Sequence, residues 1–488
     1  MSDLPPPNSR RAAREAANAS QPQGLPLLKP TADAPVETAR QPRLTRLQLG
    51  LIIGAGAIIF VLLATGSVFA GITAGRNALL PLPVPHTTPT ARAIPATEVQ
   101  PTAIPTCSLD TLASAPALIK LYGSVVETAS GDSLYSNNDT TAERPAAVLK
   151  VLTAAAAVAV LGPTFQITTS VDASEPGTIT LVGQGDATLS AATHSVYAGA
   201  PSLASLASKA FAAYNNDQDN NGVPITHVVL DSSYWDPSDN WDSSVPRSLQ
   251  TGGYLSLATA LQVDGDRQNP AAQVSPRSND PVAAAGNAFV TALAALPGGP
   301  AASSIQVTDG QAEDGATVLA SVQSQPVSTL VRQMLAQNDD TLAEMLARIV
   351  SVKESLGGTS SSIQQAMLTA LSKYSLDTTG LIIEDGSGES DESMIPPVFM
   401  SKFMSLVSQK ADGLQYVAAG IPQTGKYYSK SGSIATAYTI SGYTTAADGT
   451  GESFTFFAEG PGITSAASAA LTALANAVYT CGKNITNN

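Results

Sequence analysis

Apolar positions along this chain fall into three regimes. Residues 47–72 carry no charged side chain, a run long enough to cross a bilayer as one helix. Residues 145–161 form a second run, apolar on every side except at Lys150, which predicts a helix buried inside a large domain. Pro145 near its start and Gly162-Pro163 at its end are helix start and stop signals. Elsewhere, apolar residues alternate with polar ones or recur at helical spacing.

Residues 108–122 read as a first helix. Gly123-Ser124-Val125-Val126-Glu127 and Asp132-Ser133-Leu134-Tyr135 read as a hairpin. Strand-like alternation returns at 166–179 around a Pro176-Gly177 turn, in His227-Val228-Val229-Leu230-Asp231, and at 426–433, 438–443 and 453–459. Helical spacing marks 283–296, 327–350 with a break at Gln337-Asn338-Asp339-Asp340, 362–374 and 465–479. This order predicts an α+β fold, an antiparallel sheet flanked by helices. It carries an inserted region at about 165–326, and no internal repeat is visible.

Charge adds a direction to this plan. The net charge is −14, yet the first 46 residues hold seven basic against four acidic side chains, leaving −17 beyond them. So acidic a body excludes nucleic acid as a partner. Arg46 and Arg76 flank the apolar run, with the heavier basic load on the N-terminal side. The positive-inside rule then predicts a single-pass cell-membrane protein with its C-terminal domain extracytoplasmic. Residues 1–46 form a disordered cytoplasmic tail, 47–72 the transmembrane helix, and 73–106, rich in proline, an extended stalk. The rival is a cleavable signal processed at Val68-Phe69-Ala70; the polar segment ahead of the run is longer than a signal's and favours the anchor. Gly50 and Gly54 fit a helix-dimer pattern that small residues often produce by chance.

The folded domain is expected at 107–488, with Cys107 and Cys481 near its two ends. In an oxidising compartment they suggest one disulfide; the alternative is two unpaired thiols.

Three places hold residues suited to chemistry: Lys150 on the buried helix, Asn338-Asp339-Asp340 ahead of a second helix, and Lys430-Ser431-Gly432-Ser433 opening a strand. A lysine inside an apolar helix is costly unless it is paired or reactive. Together the three resemble the site of the serine D-Ala-D-Ala peptidases and β-lactamases. More narrowly, the chain resembles the low-molecular-mass class C penicillin-binding proteins. The likeness runs through Pro145-Ala146 with Lys150 and Leu152-Thr153-Ala154-Ala155-Ala156, then Leu181-Val182-Gly183 with Gly185-Asp186. It continues through Gly252-Gly253-Tyr254, Ala260-Leu261 with Val263-Asp264-Gly265, Leu342-Ala343-Glu344 with Leu346-Ala347-Arg348, Asp385-Gly386-Ser387-Gly388, and Ser441-Gly442-Tyr443.

The resemblance implies a penicillin-binding-protein fold and D-Ala-D-Ala carboxypeptidase or endopeptidase activity on peptidoglycan stem peptides. It implies no cofactor. It assigns Lys150 as general base for a serine one turn earlier. It makes Lys430, Ser431, Gly432 and Ser433 the substrate strand, and backbone N–H groups at 147 and 433 the oxyanion donors. Here the pattern departs. Position 147 is alanine, and the expected Ser-x-Asn has become Asn338-Asp339-Asp340. Thr153, turned about 240° from Ala147 on a helix, cannot replace the serine. Two readings remain: hydrolysis by a non-standard nucleophile or an activated water, or a degenerate site in a retained fold that binds the stem peptide without cleaving it or serves as a cell-wall scaffold with no ligand. In the second, Asp340 is expected to pair with Lys150 and offset its burial.

Two further features need weighing. Asp217, Asp219 and Asn221 match the start of a calcium loop, but position twelve is Val228, not Glu, so a polar turn is the simpler reading and no metal is assigned. Trp235 and Trp241 form either a carbohydrate-stacking surface or core packing.

Overall fold

The computed structural model describes residues 106–220 and 222–486. Among them no helix is long and apolar enough to cross a membrane. The expected tail and anchor, and the stalk up to residue 105, lie outside the described residues.

In chain order, β1 (Lys120–Glu127) and β2 (Ser133–Asn137) form the hairpin, and α1 (Lys150–Leu161) follows. The inserted region holds β3 (Thr168–Ala173), β4 (Thr178–Gly183), α2 (Leu203–Asn216), β5 (His227–Asp231), α3 (Pro281–Ala294), β6 (Gln306–Gly310) and β7 (Val318–Gln323). After it come α4 (Val327–Gln337), α5 (Asp340–Lys353), α6 (Ile363–Leu371) and α7 (Pro397–Gln409). The chain then closes with β8 (Gln423–Thr424), β9 (Tyr427–Ser433), β10 (Ala437–Thr445), β11 (Gly451–Glu459) and α8 (Ala466–Cys481).

The main sheet has the order β2-β1-β11-β10-β9-β8, antiparallel throughout. Alternation along β11 sends Phe454, Phe456 and Ala458 to one face, where they pack with Leu471, Leu474 and Val478 of α8. Phe457 points to the other face, where Phe399 and Phe403 of α7 lie. Beyond α7, the Ala-rich α1 is packed among α4, α5 and α6. Its alanines let neighbouring backbones approach closely, which is why a helix with no polar face is stable here.

The inserted region builds a second sheet, β6-β5-β4-β3-β7, in which β4, β5 and β6 run parallel. Parallel neighbours need crossovers, and α2 and α3 supply them, burying Leu206, Ala210 and Phe289 against Val228 and Leu230. The sequence reading, framed as one antiparallel sheet, did not anticipate this mixed sheet. It was also wrong at 108–122. Only Asp110–Ala113 is α-helical, and Pro116 opens a 3₁₀ turn instead. From Lys120 onward the chain is strand, because Leu121 and Tyr122 pair opposite Ala458 and Phe457 at the centre of the sheet.

Cys107 and Cys481 form a disulfide, with 5.6 Å between their Cα atoms and 374 residues between them in sequence. It ties the first residues of the domain to the end of α8. Replacing both cysteines by serine is expected to lower the unfolding free energy by up to about 5–6 kcal/mol, read from denaturant curves of the two proteins.

Three buried carboxyls make stability depend on pH. Burial, reinforced by Asp448 and Glu127, pushes Glu452 up to about 8. Burial and a hydrogen bond with Glu143 push Glu459 up to about 7. Burial pushes Asp186 up to about 6, against its bonds to Thr188. A carboxyl raised in the folded state keeps its proton longer there than in the unfolded chain, so each costs stability as pH rises towards its folded value. The thermal midpoint is therefore expected to fall between about pH 5 and 8, and Glu452→Gln to flatten the upper part of that decline. A midpoint that rises steadily from pH 5 to 8 would contradict this account.

Candidate functional site

Motif one begins in a strained turn. Ala146 has φ +46°, costly for a residue with a Cβ, and opens the 3₁₀ turn Ala146–Leu149 that leads into α1. The turn is pinned from two sides. Thr439 on β10 donates its hydroxyl to the Pro145 carbonyl at 2.8 Å. Gly388 lies so close that an added Cβ would sit 1.9 Å from the Ala146 carbonyl oxygen. Gly432 on β9 is equally constrained: a Cβ there would be 2.4 Å from the Ala147 nitrogen.

Lys150 is the first residue of α1 and is fully buried. Its ammonium donates to the Ser387 carbonyl at 2.6 Å and pairs with Asp340 Oδ1 at 2.7 Å. Asp340 is itself buried and stands in the first turn of α5, where the helix dipole favours a carboxylate. The ion pair expected between these two residues is thus present.

The neighbouring residues of the second motif are aimed elsewhere. Asn338 ends α4 in the left-handed region, φ 54°, which asparagine tolerates, and its Oδ1 accepts from Lys430 Nζ at 2.6 Å. Lys430 also donates to the Ser431 carbonyl at 2.9 Å. Asp339 caps α5 by accepting the Leu342 N–H and pairs with Arg267 of the inserted region at 2.8 Å. Burial opposes charge on Asp339, but Arg267 and the cap bond hold its carboxyl below the usual carboxylate range. Arg267 is braced in turn by the Tyr197 hydroxyl.

The Ser387 carbonyl is placed by a dense local network. Asp385 accepts from the Ser387 and Glu389 backbone and from the Ser387 hydroxyl. Glu344 on α5 accepts the Gly386 N–H and pairs with Arg348, which reaches Asp239. Thr153 donates to the Gly386 carbonyl at 2.6 Å, so its hydroxyl is turned away from position 147, as its place on the helix requires.

A cleft of about 570 Å³ opens along the edge of β9. Lys430 to Ser433, Asn338 to Asp340, Arg332 of α4 and Tyr254 of the inserted region line it. Ala147 and Lys150, 2 % and 0 % exposed, lie behind this lining. Lys150 is paired with Asp340, and Ala147 has no hydroxyl. The arrangement offers a peptide-sized groove with hydrogen-bonding walls and an unpaired strand edge, but no side chain at 147 that can be acylated.

Other sequence candidates fall apart from this site. Asp217 accepts the Asp219 N–H in a local turn, and Asn221 lies outside the described residues. Trp235 is buried, donating to the Ala258 carbonyl, whereas Trp241 is half-buried under Arg247. Sequence reasoning missed Arg267, Tyr197 and the Ser387 carbonyl as parts of the site. Arg267 follows the Asp264-Gly265 motif by two residues, the one signal that could have pointed to it.

Comparison with known proteins agrees with this construction. A model of the D-Ala-D-Ala carboxypeptidase 3 (S13) family matches residues 106–267 and 255–478. Carboxypeptidase DacB of Mycolicibacterium smegmatis is 30 % identical over 380 residues, 74 % of this chain and 78 % of that protein. Carboxypeptidase Rv3627c of Mycobacterium tuberculosis is 30 % identical over 355 residues, 70 % and 73 % of the two chains. Among solved structures, penicillin-binding protein 4 of Haemophilus influenzae superposes with a TM-score of 0.58 at 18 % identity. That match covers 74 % of this chain and 96 % of that one, and it shows the shared fold. With matches across both halves of the described domain, this chain belongs to the D-Ala-D-Ala carboxypeptidase 3 (S13) family.

Proposed function

We propose that this protein binds peptidoglycan stem peptides at the cell envelope and does not hydrolyse them through an acyl-serine intermediate. The observation that carries this reading is the buried Lys150–Asp340 ion pair behind Ala147. Acyl transfer needs a nucleophile and a base that can take its proton. Ala147 offers no hydroxyl. Lys150 is engaged by the Asp340 carboxylate and the Ser387 carbonyl rather than by a hydroxyl. Removing the nucleophile from such a site leaves only roughly 10³–10⁴-fold over water from binding and oxyanion stabilisation.

Binding elements remain in place. The cleft retains the edge of β9, the Ser431 and Ser433 hydroxyls and the Asn338 amide, a set suited to lying alongside an extended peptide. The Cys107–Cys481 disulfide favours an oxidising, extracytoplasmic setting. With the apolar run 47–72 it supports a single-pass membrane protein that displays this domain outside the cell.

The wild type is expected to show no covalent labelling by a fluorescent penicillin and no D-Ala release from a stem pentapeptide. Ala147→Ser alone is expected to stay unlabelled, because Asp340 still holds Lys150. The triple variant Ala147→Ser, Asn338→Ser, Asp340→Asn is expected to label. Robust labelling of the wild type, or of Ala147→Ser alone, would overturn the proposal. Asp340→Ala should cost about 3–5 kcal/mol of stability by leaving a buried ammonium unpaired, so labelling is read beside a melting curve.

A further inference from the structure

The inserted region contains a second pocket, of about 290 Å³, apart from the peptide cleft. Three structural units meet there: the N-terminus of α3 at Asp280 and Pro281, the ends of β5 and β6 at Leu230 and Asp309, and the loop carrying Asn240. Ser232 lines it. This residue is 6 % exposed, and its hydroxyl has no hydrogen-bond partner among the described residues. A buried polar group without a partner is costly, and a ligand hydroxyl or amide would recover that cost.

The lining excludes most ligand classes. Asp280 and Asp309 contribute carboxylates and no lysine or arginine faces them from the lining, so an anion is repelled even at a helix N-terminus. The Asp280 side chain is already used to cap α3 through the Ala283 N–H, and no group of metal-ligating side chains occurs among the described residues. No aromatic ring lines the pocket, so a flat heteroaromatic group would find no stacking partner. What remains is a small neutral ring rich in hydroxyls and amides. Ser232, Thr259, Asn240 and Asn279 line the pocket beside Leu257 and Val282; Thr259 and Asn240 already donate to the Leu261 and Pro237 carbonyls, which leaves Ser232 as the unpartnered hydroxyl. That mixture meets the polar edge and apolar face of a sugar, and the volume is at the small end of ligand pockets.

We propose that this pocket binds a neutral N-acetylated sugar of the peptidoglycan glycan strand, while the cleft along β9 takes the stem peptide. The choice of sugar rests on the peptidoglycan-binding reading given above. The chain itself links the two sites. Tyr254 lines the cleft and Leu257 the sugar pocket, so these two Cα atoms are at most about 11 Å apart. Between them and the altered motif, the Ser256 N–H donates to Thr341, the residue after Asp340. One muropeptide, sugar and stem together, is of a size to engage both.

Saturation-transfer NMR and calorimetry on the full chain test this with three probes: a neutral N-acetylglucosamine disaccharide, a sugar-free stem peptide, and a disaccharide muropeptide whose lactyl carboxyl is held as an amide by the stem. The disaccharide is expected to bind alone, and the muropeptide more tightly than either part. Ser232→Ala should weaken disaccharide binding about three- to tenfold, and Val282→Trp should abolish it by filling the pocket. Both variants should keep the wild-type affinity for sugar-free stem peptide and the wild-type melting temperature. No disaccharide signal, or equal disaccharide binding in wild type and a folded Val282→Trp variant, overturns the sugar site. Disaccharide binding that Val282→Trp abolishes, without stem-peptide binding, sustains the sugar site and overturns the stem-peptide reading instead.

Discussion

A buried lysine ammonium at the start of an apolar helix sets the terms for the rest of this site. Lys150 has no water to solvate it, so the fold must supply both a counter-charge and hydrogen-bond acceptors. Asp340 gives the charge and the Ser387 carbonyl an acceptor. Each has to be held within a few tenths of an ångström, and much of the surrounding structure does that holding. The left-handed Asn338 and the Asp339 cap fix where α5 begins and therefore where Asp340 stands. The Asp385 network and the Glu344 bond to Gly386 fix Ser387.

The same logic reaches into the inserted region. Asp339 adjoins Asp340 in a largely buried setting, and two adjacent carboxylates there repel unless each has its own cation. Lys150 takes one and Arg267 the other. Arg267 is buried as deeply as Asp339, so the inserted region and the helices around α1 are joined by a pair that neither can leave cheaply. This makes the insertion part of the site rather than an appendage. It also explains why Tyr254, a residue of the insertion, forms a wall of the cleft.

Much of this was legible in the sequence because it depends on local signals. The all-apolar helix with one lysine, the break at 337–340, and the Lys-Ser-Gly strand each carry a pattern within ten residues. The pairing of Asp340 with Lys150 followed from charge compensation once the family resemblance had brought the two motifs together. The parts that escaped are those made by distant contacts. Arg267 is recruited across 72 residues, and the Ser387 carbonyl is a backbone atom that no residue type reports. At 108–122 the helical look was real, but the demand for a central strand opposite β11 overrode it. The parallel strands of the insertion escaped because their crossover helices, α2 above all, are alanine-rich stretches without a sharp boundary.

The two departures from the family pattern are coupled by a physical argument. With a serine at 147 and a neutral amide at 340, Lys150 would have a hydroxyl and an amide as partners. Replace the serine by alanine alone, and the buried amine loses a hydrogen-bond partner. A carboxylate at 340 repairs that loss by giving the buried ammonium a counter-charge and holding it in an ion pair. Asn338 extends the same repair to the second cation, accepting from Lys430 through its amide oxygen and leaving its NH₂ donors available. Both lysines of the altered site thus find acceptors within the chain itself, a carboxylate for Lys150 and an amide oxygen for Lys430. A binding cleft can tolerate that condition, because its ligand need only match the strand edge and the walls. A catalytic site cannot, because its power comes from groups whose best partner is the transition state.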